Sequence, residues 1–175
     1  MAHVVFLRAA NVGGKNVFRP AQLAASLSHL GAVNIGAAGT FVIRDTSSAA
    51  AIRRELVKRL PFECHMGIRP AKEILELVRS DPFAGVRFSR DLRGWVAVLA
   101  GKPKSQPTLP LRFPNSAAWS VRFEQLHGPF ALGLFQRQPK GFVFPSNSVE
   151  ATLGVPATTR WWETFGRIAA VIEST

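Results

Sequence analysis

The sequence predicts an α+β protein: a ferredoxin-like half over residues 1–69 packed against a second small α+β half over residues 70–175 that ends in a C-terminal helix. Three observations carry this. Hydrophobic periodicity before residue 70 reads strand, helix, strand, strand, helix, strand. Pro70 and Asp81-Pro82 bracket a junction helix, and after it come further alternating, β-rich runs. With 47% hydrophobic residues in 175, the chain is long and apolar enough for a real core.

His3-Val4-Val5-Phe6-Leu7 is a short, nearly continuous run of apolar β-formers, which suits a central strand covered on both faces. Pro20 stands where a first helical residue would, and Leu23, Leu27 and Leu30 recur at helical spacing before Gly31 closes the element. Val33 to Ala37 is a weak strand and Thr40 to Arg44 a stronger one, so the two can pair as a hairpin across Gly39. Ser47 or Ser48 caps a helix with Ala49, Ile52, Leu56 and Leu60 inward, and Pro61 ends it. Glu63 to Arg69 alternates and completes the six-element unit.

In the second half, Pro70 opens a helix with an Ile74, Leu75, Leu77 and Val78 stripe, and Gly94 to Ala100 reads as a strand. Four prolines between Gly101 and Pro114 predict a loop. Trp119 to Gln125 alternates, Gly128-Pro129 turns the chain, and Phe130 to Phe135 returns as its partner. Lys140-Gly141-Phe142-Val143-Phe144 has a faint likeness to an aromatic RNA-reading motif but lies outside the six-element unit, so a buried strand is expected there. Ser146 or Asn147 caps a short helix ending at Leu153-Gly154, and the last helix begins near Thr158-Thr159 with Phe165, Ile168 and Ile172 inward.

Lysine and arginine number 22 against 11 acidic residues, a net charge of +11, so an anionic partner such as nucleic acid or a phosphorylated metabolite fits the balance. Arginine excess also occurs with no such partner, and composition alone identifies none. The single cysteine, Cys64, excludes an internal disulfide, and no Cys/His spacing suits structural zinc. No metal and no cofactor are expected. No apolar run approaches the roughly 18 residues of a membrane span, so a soluble, cytoplasmic protein is expected.

The stretch that looks built for a ligand is Arg8 to Asn16. Gly13 and Gly14 let backbone amides approach an anion, Lys15 adds charge, Arg8, Asn11 and Asn16 flank them, and a helix N-terminus is expected to follow. The plainer alternative is a turn with a solvated lysine. A second candidate is Thr158-Thr159-Arg160, where a hydroxyl caps free amides and a guanidinium grips phosphate, or where the segment only caps. Trp161 and Trp162 could stack a base or simply pack. Cys64 and His65, adjacent on an expected strand, point to opposite faces and form no thiolate–imidazole dyad. His3, His29 and His127 are isolated, and no carboxylate pair has acid–base spacing.

Two segments carry a resemblance: Phe6 to Asn16, and Leu153-Gly154-Val155-Pro156-Ala157-Thr158-Thr159-Arg160 followed by Trp162 and Thr164, with weaker support from Gly39 and Asp81-Pro82-Phe83. On these the chain resembles the bacterial domain-of-unknown-function family 1697. The resemblance implies the two-part α+β architecture and assigns no activity. It also implies three departures, since the family usually has glycine at the position of Ala9 and asparagine at those of Thr40 and Trp161. With glycine at Ala9 the segment would approach a phosphate-binding P-loop, but Asn16 stands where a magnesium-holding Ser or Thr belongs, and the element order offers no parallel sheet. The expectation is therefore a phosphate- or anion-binding protein, nucleic acid included, using the Gly-Gly-Lys and Thr-Thr-Arg segments together. The alternative is an enzyme acting on a small phosphorylated or carboxylated substrate between the halves.

Overall fold

The computed structural model describes residues 1–174 and divides into two compact units, Met1–Ser80 with the terminal stretch from Thr164, and Asp81–Glu163. In the first unit β1 (His3–Leu7), α1 (Pro20–Ser26), β2 (Ala32–Asn34), β3 (Thr40–Ile43), α2 (Ala49–Arg59) and β4 (Met66–Pro70) follow in order. The sheet runs β2-β3-β1-β4 with every pair antiparallel, which is the ferredoxin-like arrangement.

That order puts β1 in the interior and explains its unbroken apolarity. Val5 and Leu7 join Leu23, Leu27, Phe41, Ile52 and Leu56 in one core. Val4 and Phe6 point the other way by strand alternation and are equally buried. On that face α5 (Trp162–Glu173) stacks Phe165 on Phe6, with ring centroids 5.7 Å apart. Next to it α3 (Ala71–Arg79) buries Ile74 and Leu77 and is tied to α5 by an Arg79–Glu173 ion pair of 3.0 Å. Each such buried aliphatic contributes about 1.5–3 kcal/mol. The units therefore divide elsewhere than residue 69: a strand apolar on both faces draws α3 and the end of α5 to the first unit. Phe41 of β3 is fully buried.

The second unit is a five-stranded antiparallel sheet, β6-β7-β8-β5-β9, formed by β5 (Leu92–Leu99), β6 (Leu111–Phe113), β7 (Val121–His127), β8 (Phe130–Gln136) and β9 (Ala157–Trp161). On it lies α4 (Pro145–Leu153), whose Val149 and Leu153 share a core with Trp95, Ala97, Val121, Phe123 and Ala131. Gly133 is fixed by crowding: a Cβ there would sit 1.9 Å from the Arg122 carbonyl and 2.5 Å from the Trp95 ring. Trp95, buried beneath it, satisfies its indole by donating to the Leu134 carbonyl at 3.0 Å.

Several expectations change here. The proline-rich loop contains β6, whose three residues lie between Pro110 and Pro114 and so keep their own amides for β7. Lys140 to Phe144 forms no strand, because β8 ends at Gln136 and Gly141 takes a left-handed φ of 79°. Ser146 and Asn147 do not cap α4; Phe144 is the cap residue and Pro145 the first helical one, where a missing N–H costs nothing. Thr158-Thr159-Arg160 lies in β9, not at a helix start, consistent with the strand preference of β-branched threonines, and α5 begins only at Trp162. Cys64 and His65 precede β4 in irregular chain, where the His65 carbonyl accepts the Arg8 amide at 2.8 Å.

Candidate functional site

The loop after β1 closes on itself. Gly13 and Gly14 take φ values of 57° and 71°, and the Lys15 amide donates back to the Val12 carbonyl at 3.0 Å, a tight turn of the kind two left-handed residues allow. Asn11, itself left-handed, spends its side chain on the loop: Oδ1 accepts the Phe18 amide and Nδ2 donates to the Ala37 carbonyl, each at 2.9 Å. Asn16 Nδ2 donates to the Ala9 carbonyl at 3.3 Å. The expected helix dipole does not reach the glycines, since α1 starts at Pro20, is only seven residues long and has no side-chain cap. Lys15 stands exposed, and Arg8 is half-buried.

Thr158, Thr159 and Arg160 belong to the other unit and pair with Val98, Ala97 and Val96 of β5. Thr158 is 7% and Arg160 9% exposed, and the Arg160 Nη1 donates to the Thr159 carbonyl at 2.9 Å. Burial pushes the Arg160 guanidinium down to about 10, still charged at neutral pH. Thr159 Oγ1 is buried with no hydrogen-bond partner among the described residues.

A different group of cations and aromatic rings comes together at one end of the second sheet. Arg90, Arg93, Arg137, Phe135, Phe142 and Trp161 line a cavity of about 160 Å³, with Gln138 and Gly141 at its edge. The register explains the assembly: Leu92 pairs with Gln136, so the residues before β5 and those after β8 leave the sheet together, and Trp161 of β9 lies opposite Trp95. The Arg93 guanidinium sits 4.0 Å from the Trp161 ring centre and pairs with Glu163 at 3.3 Å. Arg137 is anchored by its amide on the Asp91 carbonyl at 2.8 Å and by a looser 3.7 Å approach of Nε to that carboxylate. Gln138 donates to the Trp119 carbonyl at 2.7 Å. From Trp161 the rings continue through Phe135 (5.4 Å) and Phe142 (5.2 Å) to Phe144 (4.6 Å).

Sequence reasoning named Trp161 as a stacking candidate and Lys140 to Phe144 as a faint motif, but did not join them to the arginines. The signal lay in pairing. Arg90-x-x-Arg93 enters the strand whose partner exits into Arg137 and Lys140, and only antiparallel register places them side by side.

Three larger grooves carry fewer cations. One of about 480 Å³ beside Phe18, Arg19 and Leu23 includes Arg59, which Glu55 already neutralises. Another of about 520 Å³ is lined by Val57, Leu60, Phe62, Cys64 and Glu63 and holds no cation. There burial pushes the Cys64 thiol up, with Arg53 pulling partly against it. No group of three or more His, Cys, Asp or Glu among the described residues is placed to hold a metal ion, and no helix among them is long and apolar enough to cross a membrane.

Fold and register thus define a two-sheet α+β protein with a ferredoxin-like first unit. The chain belongs to the family described as protein of unknown function (DUF1697), whose model matches residues 1–124. Its fold is shared by a conserved bacterial protein from Streptococcus pneumoniae, at a TM-score of 0.59 and 18% identity over 97% of each chain. No curated protein matches the chain.

Proposed function

We propose that the protein is a non-catalytic anion binder whose ligand is nucleic acid, with phosphate held at the mouth of the Arg90, Arg93 and Arg137 cup. The observation that supports this is that these three arginines line one small cavity on a chain of net charge +11. Glu163 and Asp91 offset Arg93 and Arg137 in part, and a phosphate at the cavity adds charge-assisted hydrogen bonds to the arginines. At about 160 Å³ the cavity is below the roughly 300–1,000 Å³ of sites that enclose a small molecule, which favours surface binding over an enclosed substrate. Of the loop residues singled out in the sequence, Lys15 stays exposed, while Asn11, Asn16 and the two glycines serve the turn.

Titrating a labelled oligonucleotide by fluorescence anisotropy over a range of salt tests the reading. Affinity is expected to fall steeply with salt, and Arg90→Ala and Arg137→Ala each to flatten the logarithmic slope by about one. Absence of binding to any oligonucleotide at about 50 mM salt, or binding indifferent to salt, overturns it.

A further inference from the structure

Resting on that reading, we propose that the cup takes an unpaired base of a single-stranded nucleic acid, stacked on Phe142 beside the Arg93–Trp161 pair, with the flanking phosphates on Arg90, Arg137 and Lys140. Phe142 and Phe144 are 54% and 52% exposed and adjacent on a loop, with one side of Phe142 against Phe135 of β8. Burying them would lower the free energy of the folded chain, so leaving two neighbouring rings in water marks a surface that something covers. The occupant must match both parts of the surroundings: a flat apolar face for the rings and negative charge for the arginines.

Single-stranded nucleic acid offers both in alternation. A duplex does not, because its base faces are stacked inside and only phosphate and groove edges reach the surface. The cavity has room for part of a ligand, so the rest lies outside it, where Arg90, Arg137 and Lys140 are exposed. Stacking on phenylalanine and on a guanidinium plane accepts any base, so little sequence preference is expected.

The test compares three labelled ligands with the full chain at about 100 mM salt: a single strand of about 12 nucleotides, an abasic strand with the same number of phosphates, and a duplex of that length. The base-bearing strand is expected to bind about tenfold more tightly than the abasic one. Phe142→Ala should abolish that preference while leaving abasic affinity unchanged, and Phe142→Trp should restore it. Arg137→Ala should weaken both strands alike. Equal binding of base-bearing and abasic strands, or an unaffected Phe142→Ala, overturns the stacking proposal and leaves the phosphate reading standing. Tighter binding of the duplex, or displacement by a mononucleotide as effective as the strand itself, also overturns it. Failure to bind any of the three removes both readings.

Discussion

Two loops leave a strand and enter a helix: residues 8–19 between β1 and α1, and residues 137–144 between β8 and α4. Both carry glycine, cations and an apolar ring, yet they dispose of their polar groups in opposite ways. The first consumes them internally, with Asn11, Asn16 and the Lys15 amide all bonded to backbone within the loop or to Ala37. The second anchors only its base, through Arg137 to Asp91 and Gln138 to Trp119, and sends Lys140, Phe142 and Phe144 outward. A loop rich in asparagine and glycine is thus no better a ligand site than its unspent donors. What matters is which groups remain after the chain has satisfied itself.

The first loop is supported at Gly39, whose carbonyl accepts the Leu7 amide at 2.8 Å. Gly39 has a φ of 74°, and a Cβ there would come within 2.9 Å of Leu7 Cβ and 3.2 Å of Ala10 Cβ. Gly39→Ala should cost about 3 kcal/mol from left-handed strain plus overpacking, lowering the melting temperature by roughly 6–12 °C. Gly141→Ala, at a φ of 79° with nothing within 4 Å, is the control and should cost only about 1 kcal/mol. If both cost the same in calorimetry, the two loops are equally open and the distinction fails.

Asn11→Ala comes next, removing two side-chain bonds and leaving the Phe18 amide to find water; a loss of about 2 kcal/mol in denaturant unfolding is expected. Ala9→Gly should do the reverse. Ala9 sits at a φ of 53°, so glycine relieves strain but adds unfolded-state freedom, for a net gain of up to about 1 kcal/mol by the same measurement. A glycine at this position thus has a backbone reason that requires no phosphate. Smallest is Lys15→Ala, expected to stay within about 0.5 kcal/mol of wild type in stability. Its effect on oligonucleotide affinity should be smaller than that of Arg137→Ala, and a larger one would return the first loop to the centre of the site.

Much of the first unit was legible because its signals are local. The double-faced apolarity of Val4 to Leu7, Pro20 at a helix start and Ser48 as a cap, accepting the Ala51 amide at 3.2 Å, each follow from a few neighbouring residues. The second unit was less so. Leu111 to Phe113 is too short and too proline-flanked to announce a strand, and Thr158 to Trp161 resembles a capping motif until β5 pairs with it. At Thr158-Thr159 a cap and a strand are both chemically reasonable, and strand pairing decided between them.

By itself the sequence determined the secondary-structure class, the ferredoxin-like order of the first six elements and the cationic excess, since propensity, periodicity and charge are written residue by residue. Tertiary structure alone decided that α3 and the end of α5 cover the first sheet, that Arg160 is buried in a strand, and that Arg90, Arg93 and Arg137 meet at Trp161. These depend on register between strands distant in the chain, where a shift of one residue would turn every side chain to the opposite face.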